Sequence, residues 1–232
     1  MKLYGFTKTT LLDYPGKIAA TIFLGGCNFR CPFCHNSSLI LPSDTQPSLI
    51  SFDEILTFLK KRRNILEGVC ISGGEPTLSL KLPELLSQIK ALGYPIKLDT
   101  NGSQPQILKA LAEKDLIDKI AMDIKSSPEN YSKLIGLPAF DLTPIQESVE
   151  FLKASTIEYE FRTTVVRELH TEADFLSIRS WLSGASSYYL QAYKDSASVL
   201  SPGFHSYSRL ELEHFQDLLL TAIPHVEIRG ID

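Results

Sequence analysis

Three cysteines dominate the chemistry this sequence could do. Cys27, Cys31 and Cys34 stand in the stretch Gly26-Cys27-Asn28-Phe29-Arg30-Cys31-Pro32-Phe33-Cys34-His35-Asn36, spaced C-x3-C-x2-C. Thiolates are soft ligands, and three on one tight loop suit an iron–sulfur cluster or a zinc ion. A four-iron cluster normally takes four cysteines. With three, one iron stays open and can bind another molecule. The competing reading is a structural zinc held by Cys27, Cys31, Cys34 and His35, four ligands of allowed types. Cys34 and His35 are adjacent, whereas zinc ligands usually come as two separated pairs, so the spacing favours a cluster. The fourth cysteine lies in Gly68-Val69-Cys70-Ile71-Ser72 and reads as a small core residue among apolar neighbours.

Such a loop needs a scaffold, and the chain is long enough to provide one. Its 232 residues, 44% hydrophobic and 22% charged, suit one globular domain over 1–232, with a core at about 18–193 and a C-terminal helix and tail at 207–232. A net charge of −4, read with no basic run, gives no pointer to a nucleic acid or an anionic membrane. No apolar stretch approaches the ~20 residues of a membrane span, and the N-terminus lacks signal-peptide architecture. Cysteines grouped as three plus one do not look like a disulfide framework and fit a reducing cytoplasm.

Residues 1–17 read as an irregular lead-in. Apolar or β-rich runs predict strands at 18–24, 68–72, 95–99, 116–124, 158–166 and 187–193, with a short edge strand at 225–229. Between them, helical spacing appears after a polar connector (Leu41 to Leu49). One helix starts at the Ser51/Glu54 capping pattern and carries Phe52, Ile55, Leu59 and Leu66. Others carry Leu80 to Leu92, then Ile107, Leu108 and Leu111; one starts with Thr143 as cap and Pro144 behind it. Two more span 171–182 and the segment capped by Ser208 and Glu211. About six strand–helix units in alternation argue a parallel α/β fold, in which chemistry sits on loops at the carboxyl ends of strands. The cysteine loop follows the first such strand. Three more strand ends carry polar groups: Ser72-Gly73-Gly74-Glu75-Pro76, Asp99-Thr100-Asn101-Gly102 and Asp123-Ile124-Lys125. By themselves these read as a tight turn, a polar turn and a rim salt bridge.

C-x3-C-x2-C with an aromatic (Phe33) before the third cysteine resembles the signature of radical S-adenosylmethionine (radical SAM) enzymes. Together with Gly5-Phe6 and Asp13-Tyr14-Pro15-Gly16-Lys17, the string Gly26 to Asn36 resembles glycyl-radical-enzyme activating proteins. It is most like the branch that activates anaerobic ribonucleoside-triphosphate reductase, and is similar also to pyruvate formate-lyase activating enzyme. The resemblance and the unit count, fewer than the eight of a closed barrel, imply a partial (β/α)6 TIM-like barrel with little added to the radical SAM core. It implies a [4Fe-4S] cluster on Cys27, Cys31 and Cys34, with SAM chelated at the open iron and cleaved reductively to a 5′-deoxyadenosyl radical. That radical would take hydrogen from a glycine of a partner enzyme.

The resemblance also implies residue roles. Gly73, Gly74, Glu75 and Pro76 match the motif that holds the methionine amino group, and Lys125 would stand near the SAM carboxylate. Phe33, His35, Asp99, Asn101, Asp123, Arg162, Gln191 and Tyr193 are the further cofactor-binding candidates. A monovalent cation, Na+ or K+, would be held by Asp99, Thr100, Ala121 and Asp123. The implied partners are a glycyl radical enzyme and flavodoxin or ferredoxin as electron donor, with no nucleic acid or membrane and the chain a monomer. Outside the loop only Cys70 remains, so no second four-cysteine cluster exists here, which favours a compact activator. Two other readings stay open: a radical SAM enzyme acting on a small molecule or another macromolecule, and a zinc-binding interaction protein.

Overall fold

The computed structural model describes residues 3–40 and 49–231. The expected polar connector therefore lies, apart from Leu49, outside the described residues. In chain order the strands are β1 (Leu3–Thr10), β2 (Ala19–Leu24), β3 (Gly68–Gly73), β4 (Ile96–Thr100), β5 (Lys119–Asp123), β6 (Glu158–Val165), β7 (Tyr188–Ala192) and β8 (Val226–Arg229). The helices are α1 (Ser37–Ile40), α2 (Phe52–Lys61), α3 (Leu82–Ala91), α4 (Pro105–Glu113), α5 (Tyr131–Leu134), α6 (Thr143–Ala154), α7 (Glu172–Trp181) and α8 (Arg209–Leu220). They fall into two compact units. One comprises residues up to Asn28 with Ser38–Thr100 and Gln104–Ala121, the other Phe29–Ser37, Asn101–Ser103 and the chain from Met122 onward.

In the first unit the strands neighbour one another in chain order. β2 and β3 are parallel, pairing from Ala19 with Gly68 to Leu24 with Gly73, and β3 and β4 are parallel from Val69 with Ile96. Ala20, Ile22, Val69, Ile71, Ile96 and Leu98 are fully buried, as expected of near-continuous apolar strands covered on both faces. The lead-in is irregular only at 11–17: Leu3–Thr10 is a strand antiparallel to β2, with register shifts between Leu3 and Gly5 and between Thr7 and Thr10. Its outer half, Thr7-Lys8-Thr9-Thr10, is mostly exposed and carries no apolar alternation, so the signal used for the other strands was missing.

Helix α2 begins at the expected Ser51/Glu54 capping box but stops at Lys61. Leu66 is buried beyond the helix end rather than on its apolar face, and Leu80 is 96% exposed ahead of α3 rather than part of it. The end of α2 also carries Lys60-Lys61-Arg62-Arg63, a short basic run that the negative net charge conceals. Arg62 and Lys8 both lie over the Phe58 ring, at 5.6 and 5.9 Å.

In the second unit β6, β7 and β8 are parallel in chain order, pairing Phe161 with Tyr188 and Tyr188 with Val226. The tail therefore is the edge strand expected of it. The end of β5 runs beside β6, where Ile124 N–H donates to the Arg162 carbonyl (2.8 Å). Phe161, Phe175, Tyr188 and Leu190 are fully buried, and Phe175 stacks on Phe215 at 4.4 Å. Helix α6 includes Thr143 as its first residue instead of being capped by it. Asp141 does the capping work, accepting from the Thr143 N–H (3.0 Å) and hydroxyl (2.7 Å). No helix among the described residues is long and apolar enough to cross a membrane.

Helix α7 opens with a capping box of Thr171 and Asp174 that also anchors a neighbouring loop. Asp174 is 3% exposed; it accepts from Thr171 N–H and hydroxyl (2.8 Å each), Ser127 hydroxyl (2.6 Å) and Asn130 amide (2.7 Å). Burial alone would raise its carboxyl, but these hydrogen bonds outweigh burial and hold it below the ordinary range. A lowered carboxyl stabilises the fold above its unfolded value near 4, and that contribution is lost as pH falls through the folded value. Asp174→Ala is expected to reduce unfolding free energy by about 1–3 kcal/mol at neutral pH, because it strands buried donors. Urea unfolding should find this difference shrinking below about pH 4.

Candidate functional site

The expected residues of the first unit gather at the carboxyl ends of β2, β3 and β4. β2 ends at Leu24 and runs through Gly25-Gly26 into Cys27. At the end of β3 the Gly74 N–H donates to the Leu24 carbonyl (2.9 Å) and the Glu75 N–H to the Gly26 carbonyl (2.8 Å). This contact is why glycines stand here. A Cβ on Gly74 would lie 2.0 Å from the Gly26 oxygen, and one on Gly73, whose φ is +118°, would lie 2.2 Å from the Leu24 oxygen. The resemblance assigns these glycines to the methionine amino group of SAM. The structure places the backbone leading into Cys27 against them, so the Gly-Gly turn and the start of the cysteine loop are built as one piece.

Glu75, 2% exposed, accepts from the Thr77 N–H (3.1 Å), the Thr77 hydroxyl and the Thr100 hydroxyl (2.9 Å). It thereby caps the 3-10 turn that Pro76 opens and ties β4 to it. Asp99, at the end of β4, accepts from the Ser72 hydroxyl (2.9 Å) and is ion-paired with Lys97. Lys97, 1% exposed, stands in no motif; its sequence signal is a lysine between the apolar Ile96 and Leu98. Ala121 is buried in β5, and Cys27 is half-buried with its Sγ 4.0 Å from the Asn28 side-chain oxygen.

In the second unit the rest of the cysteine loop is pinned by backbone. Arg30 N–H donates to Ile135 (2.8 Å), Leu200 N–H to the Cys34 carbonyl (3.0 Å) and Ser201 N–H to the Pro32 carbonyl (2.8 Å). Cys31 and Phe33 are buried, and Phe33 meets the His170 ring edge-on at 6.2 Å. His170 is wholly buried; its Nε2 lies 2.8 Å from the Lys125 carbonyl, and burial lowers its imidazole pKa. No sequence motif marked it. His35 Nε2 lies 2.6 Å from the Lys194 carbonyl, and its ring is 5.5 Å from Tyr193. Tyr193 donates to Asp195 (2.8 Å), and its hydroxyl is pushed up to about 12 by burial and then by Asp195. Asn101 accepts from the Ser103 N–H (2.9 Å), folding its own loop, and Gln191 is half-buried on β7 in register with Arg229.

Asp123 is the electrostatic centre of this unit. Arg162 pairs with its Oδ1, and Lys125 donates to its Oδ2 at 2.8 Å. Burial would raise the carboxyl, but Arg162 and then Lys125 hold it well below the usual carboxylate range. Burial would likewise lower Lys125, and Asp123 followed by Cys31 keeps its ammonium above the ordinary lysine range. Burial pushes the Cys34 thiol up, while the charge on Lys125 opposes that. A cation beside thiols reduces the cost of deprotonating them, and a thiolate is the ligand form.

Among the described residues no three His, Cys, Asp or Glu side chains converge as a single metal ion requires. Within the second unit the Lys125 charge acts on the thiols of Cys31 and Cys34.

The profile of the Radical SAM superfamily matches residues 21–182. A Methanocaldococcus jannaschii protein provisionally named a glycyl-radical enzyme activating enzyme, MJ1227, is 30% identical over 82% of this chain and 79% of its own length. A second relative from that organism with the same provisional name, MJ1632, is 31% identical over 62% of this chain and 53% of its own. The crystal structure of Streptococcus suis SuiB bound to precursor peptide SuiA superposes with a TM-score of 0.69 at 13% identity, over 89% of this chain and 48% of that one. The chain thus spans about half the length of the latter two proteins. The likeness to SuiB shows the fold, the α/β partial (β/α)6 TIM-like barrel expected of the sequence.

Gly74→Ala is expected to cost about 1–3 kcal/mol in urea unfolding, because backbone cannot yield to the new methyl as a side chain would. Gly26→Ala, at φ +92° with open space around the new atom, should cost only the conformational penalty of about 1–2 kcal/mol.

Proposed function

We propose, for a chain that belongs to the radical SAM superfamily, that it activates a glycyl radical enzyme, the anaerobic ribonucleotide reductase, by taking hydrogen from a glycine of that partner. The observation that carries the reading is the joining of the Gly73–Pro76 turn to the start of the cysteine loop through Gly74 to Leu24 and Glu75 to Gly26. A turn built onto that loop is where a molecule bound at the cluster's open iron would be gripped. Cys27, Cys31 and Cys34 would hold the [4Fe-4S] cluster. When bound, the cluster supplies one-electron cleavage of the SAM S–C5′ bond and, through it, hydrogen-atom abstraction.

The protein's own part is binding and charge. The backbone of Gly73 and Gly74, with Glu75 behind it, would hold the methionine amino end of SAM. Lys125 stays an ammonium because Asp123 stays ionised, and it serves both the thiolates and the SAM carboxylate. Arg162 keeps Asp123 in place. Phe33 shields the loop from water, and Gln191 and Tyr193 address the adenosine, with His35 fixing Tyr193. No general acid or base is required for hydrogen abstraction. Flavodoxin or ferredoxin serves as the electron donor, and the chain works in the cytoplasm as a monomeric single domain, core 18–193.

The test is anaerobic. The protein is reconstituted with iron and sulfide and reduced; low-temperature EPR is recorded with and without SAM, and 5′-deoxyadenosine is assayed. The expected outcome is a reduced-cluster signal perturbed by SAM, with cleavage lost in Cys27→Ala. Adding the reductase should produce a glycyl radical signal, and deuterium at its glycine should appear in 5′-deoxyadenosine. Cleavage without any glycyl radical would redirect the reading to a small-molecule substrate. Bound zinc with no cluster and no response to SAM would overturn the enzymatic reading.

A further inference from the structure

Lys97 is the buried charge that the proposed chemistry leaves unused. It lies on β4 in register with Cys70 of β3, and its Nζ is 4.0 Å from the Cys70 sulfur. Lysine is almost never fully buried without a counter-ion. The counter-ion is Asp99, two residues on and therefore on the same face of the strand. Lys97 takes Asp99 Oδ1, and the Ser72 hydroxyl donates to Oδ2 at 2.9 Å. Ser72 leads directly into Gly73-Gly74.

The resemblance implied Na+ or K+ at Asp99, Thr100, Ala121 and Asp123, and the residues present do not fit that ion. Asp99 already carries a tethered ammonium on one oxygen and a hydroxyl donor on the other. The Thr100 hydroxyl donates to Glu75. Asp123, taken by itself in the second unit, has Arg162 on one oxygen and Lys125 on the other. At either carboxylate an added metal ion would meet a fixed positive charge at contact distance, where like charges repel strongly.

We infer that Lys97 is the built-in cation of Asp99: a positioning residue that holds the Asp99 carboxylate and the Ser72 hydroxyl at the end of β3, so that the enzyme needs no monovalent metal ion there. The effect on SAM rests on the function proposed above; the effect on the fold does not.

The test compares choline, Na+, K+ and methylammonium chlorides at equal ionic strength, using the full-length reconstituted protein. Thermal midpoint and SAM affinity are measured for the native chain, for Lys97→Met, and for Lys97→Met combined with Asp99→Asn. The native protein should bind SAM equally, within about twofold, in all four salts. Lys97→Met should bind SAM about tenfold more weakly in choline and recover with K+, Na+ or methylammonium. The double variant should show no dependence of its midpoint on the cation. If Lys97→Met does not fold in choline, folding restored by a small cation supports the inference, and failure in every salt overturns it. Native affinity that rises about tenfold with Na+ or K+ would also overturn it. So would a folded Lys97→Met that matches the native chain without a cation, or that no cation rescues. Should the native protein bind no SAM in any salt, the proposed function falls, while the midpoints still decide the role of Lys97.

Discussion

The approach of backbone to backbone at the end of β3 is the constraint on which the first unit depends. Gly73 and Gly74 lie so close to the carbonyls of Leu24 and Gly26 that no side chain fits between. Two hydrogen bonds fasten the contact, from Gly74 to Leu24 and from Glu75 to Gly26. Everything that follows each strand then has a fixed starting point: the cysteine loop after β2 and the Glu75–Pro76 turn after β3. Glu75 extends the joint to β4 through Thr100. Parallel strands make this possible because their carboxyl ends emerge on one side, so neighbouring strand ends can share hydrogen bonds.

Sheltered charge is answered in two ways: Asp174 by neutral hydrogen-bond donors, and other groups by a counter-charge built beside them. Lys97 has Asp99, and Asp123 has Lys125 and Arg162. Glu160, 1% exposed, is held by both terminal nitrogens of Arg229, at 2.9 and 3.2 Å. Such pairs add little net stability, since desolvation offsets much of the attraction. What they do is fix which atom faces which. At Lys125 one ammonium acts on both Asp123 and the thiols of Cys31 and Cys34. A lysine free to swing would serve neither reliably.

The fold is legible in the sequence where periodicity is strong and obscure where the determining contacts are local. The apolar strands and the caps at Ser51 and Ser208 stood where their patterns put them, because a capping box is a four-residue signal and a buried parallel strand a continuous one. β1 is not legible as a strand because its outer half has no apolar alternation. Leu80 was drawn into a helix by spacing alone, although Lys81 ends the turn before α3 begins. Thr143 was one residue out, since Asp141 does the capping from outside the pattern.

The sequence by itself determined the chemistry on offer and the class of fold: C-x3-C-x2-C supplies three soft ligand groups on one loop, and the alternation of strand and helix patterns names the parallel α/β class. These are covalent facts, legible because ligand identity and spacing are written along the chain. Tertiary structure alone decided how each motif is used. It set the glycines against a neighbouring backbone, made Glu75 a cap, and set Lys97 and His170 against Asp99 and Lys125. Those roles depend on residues tens of positions apart meeting in space, and no local pattern encodes which distant partner a buried polar group will find.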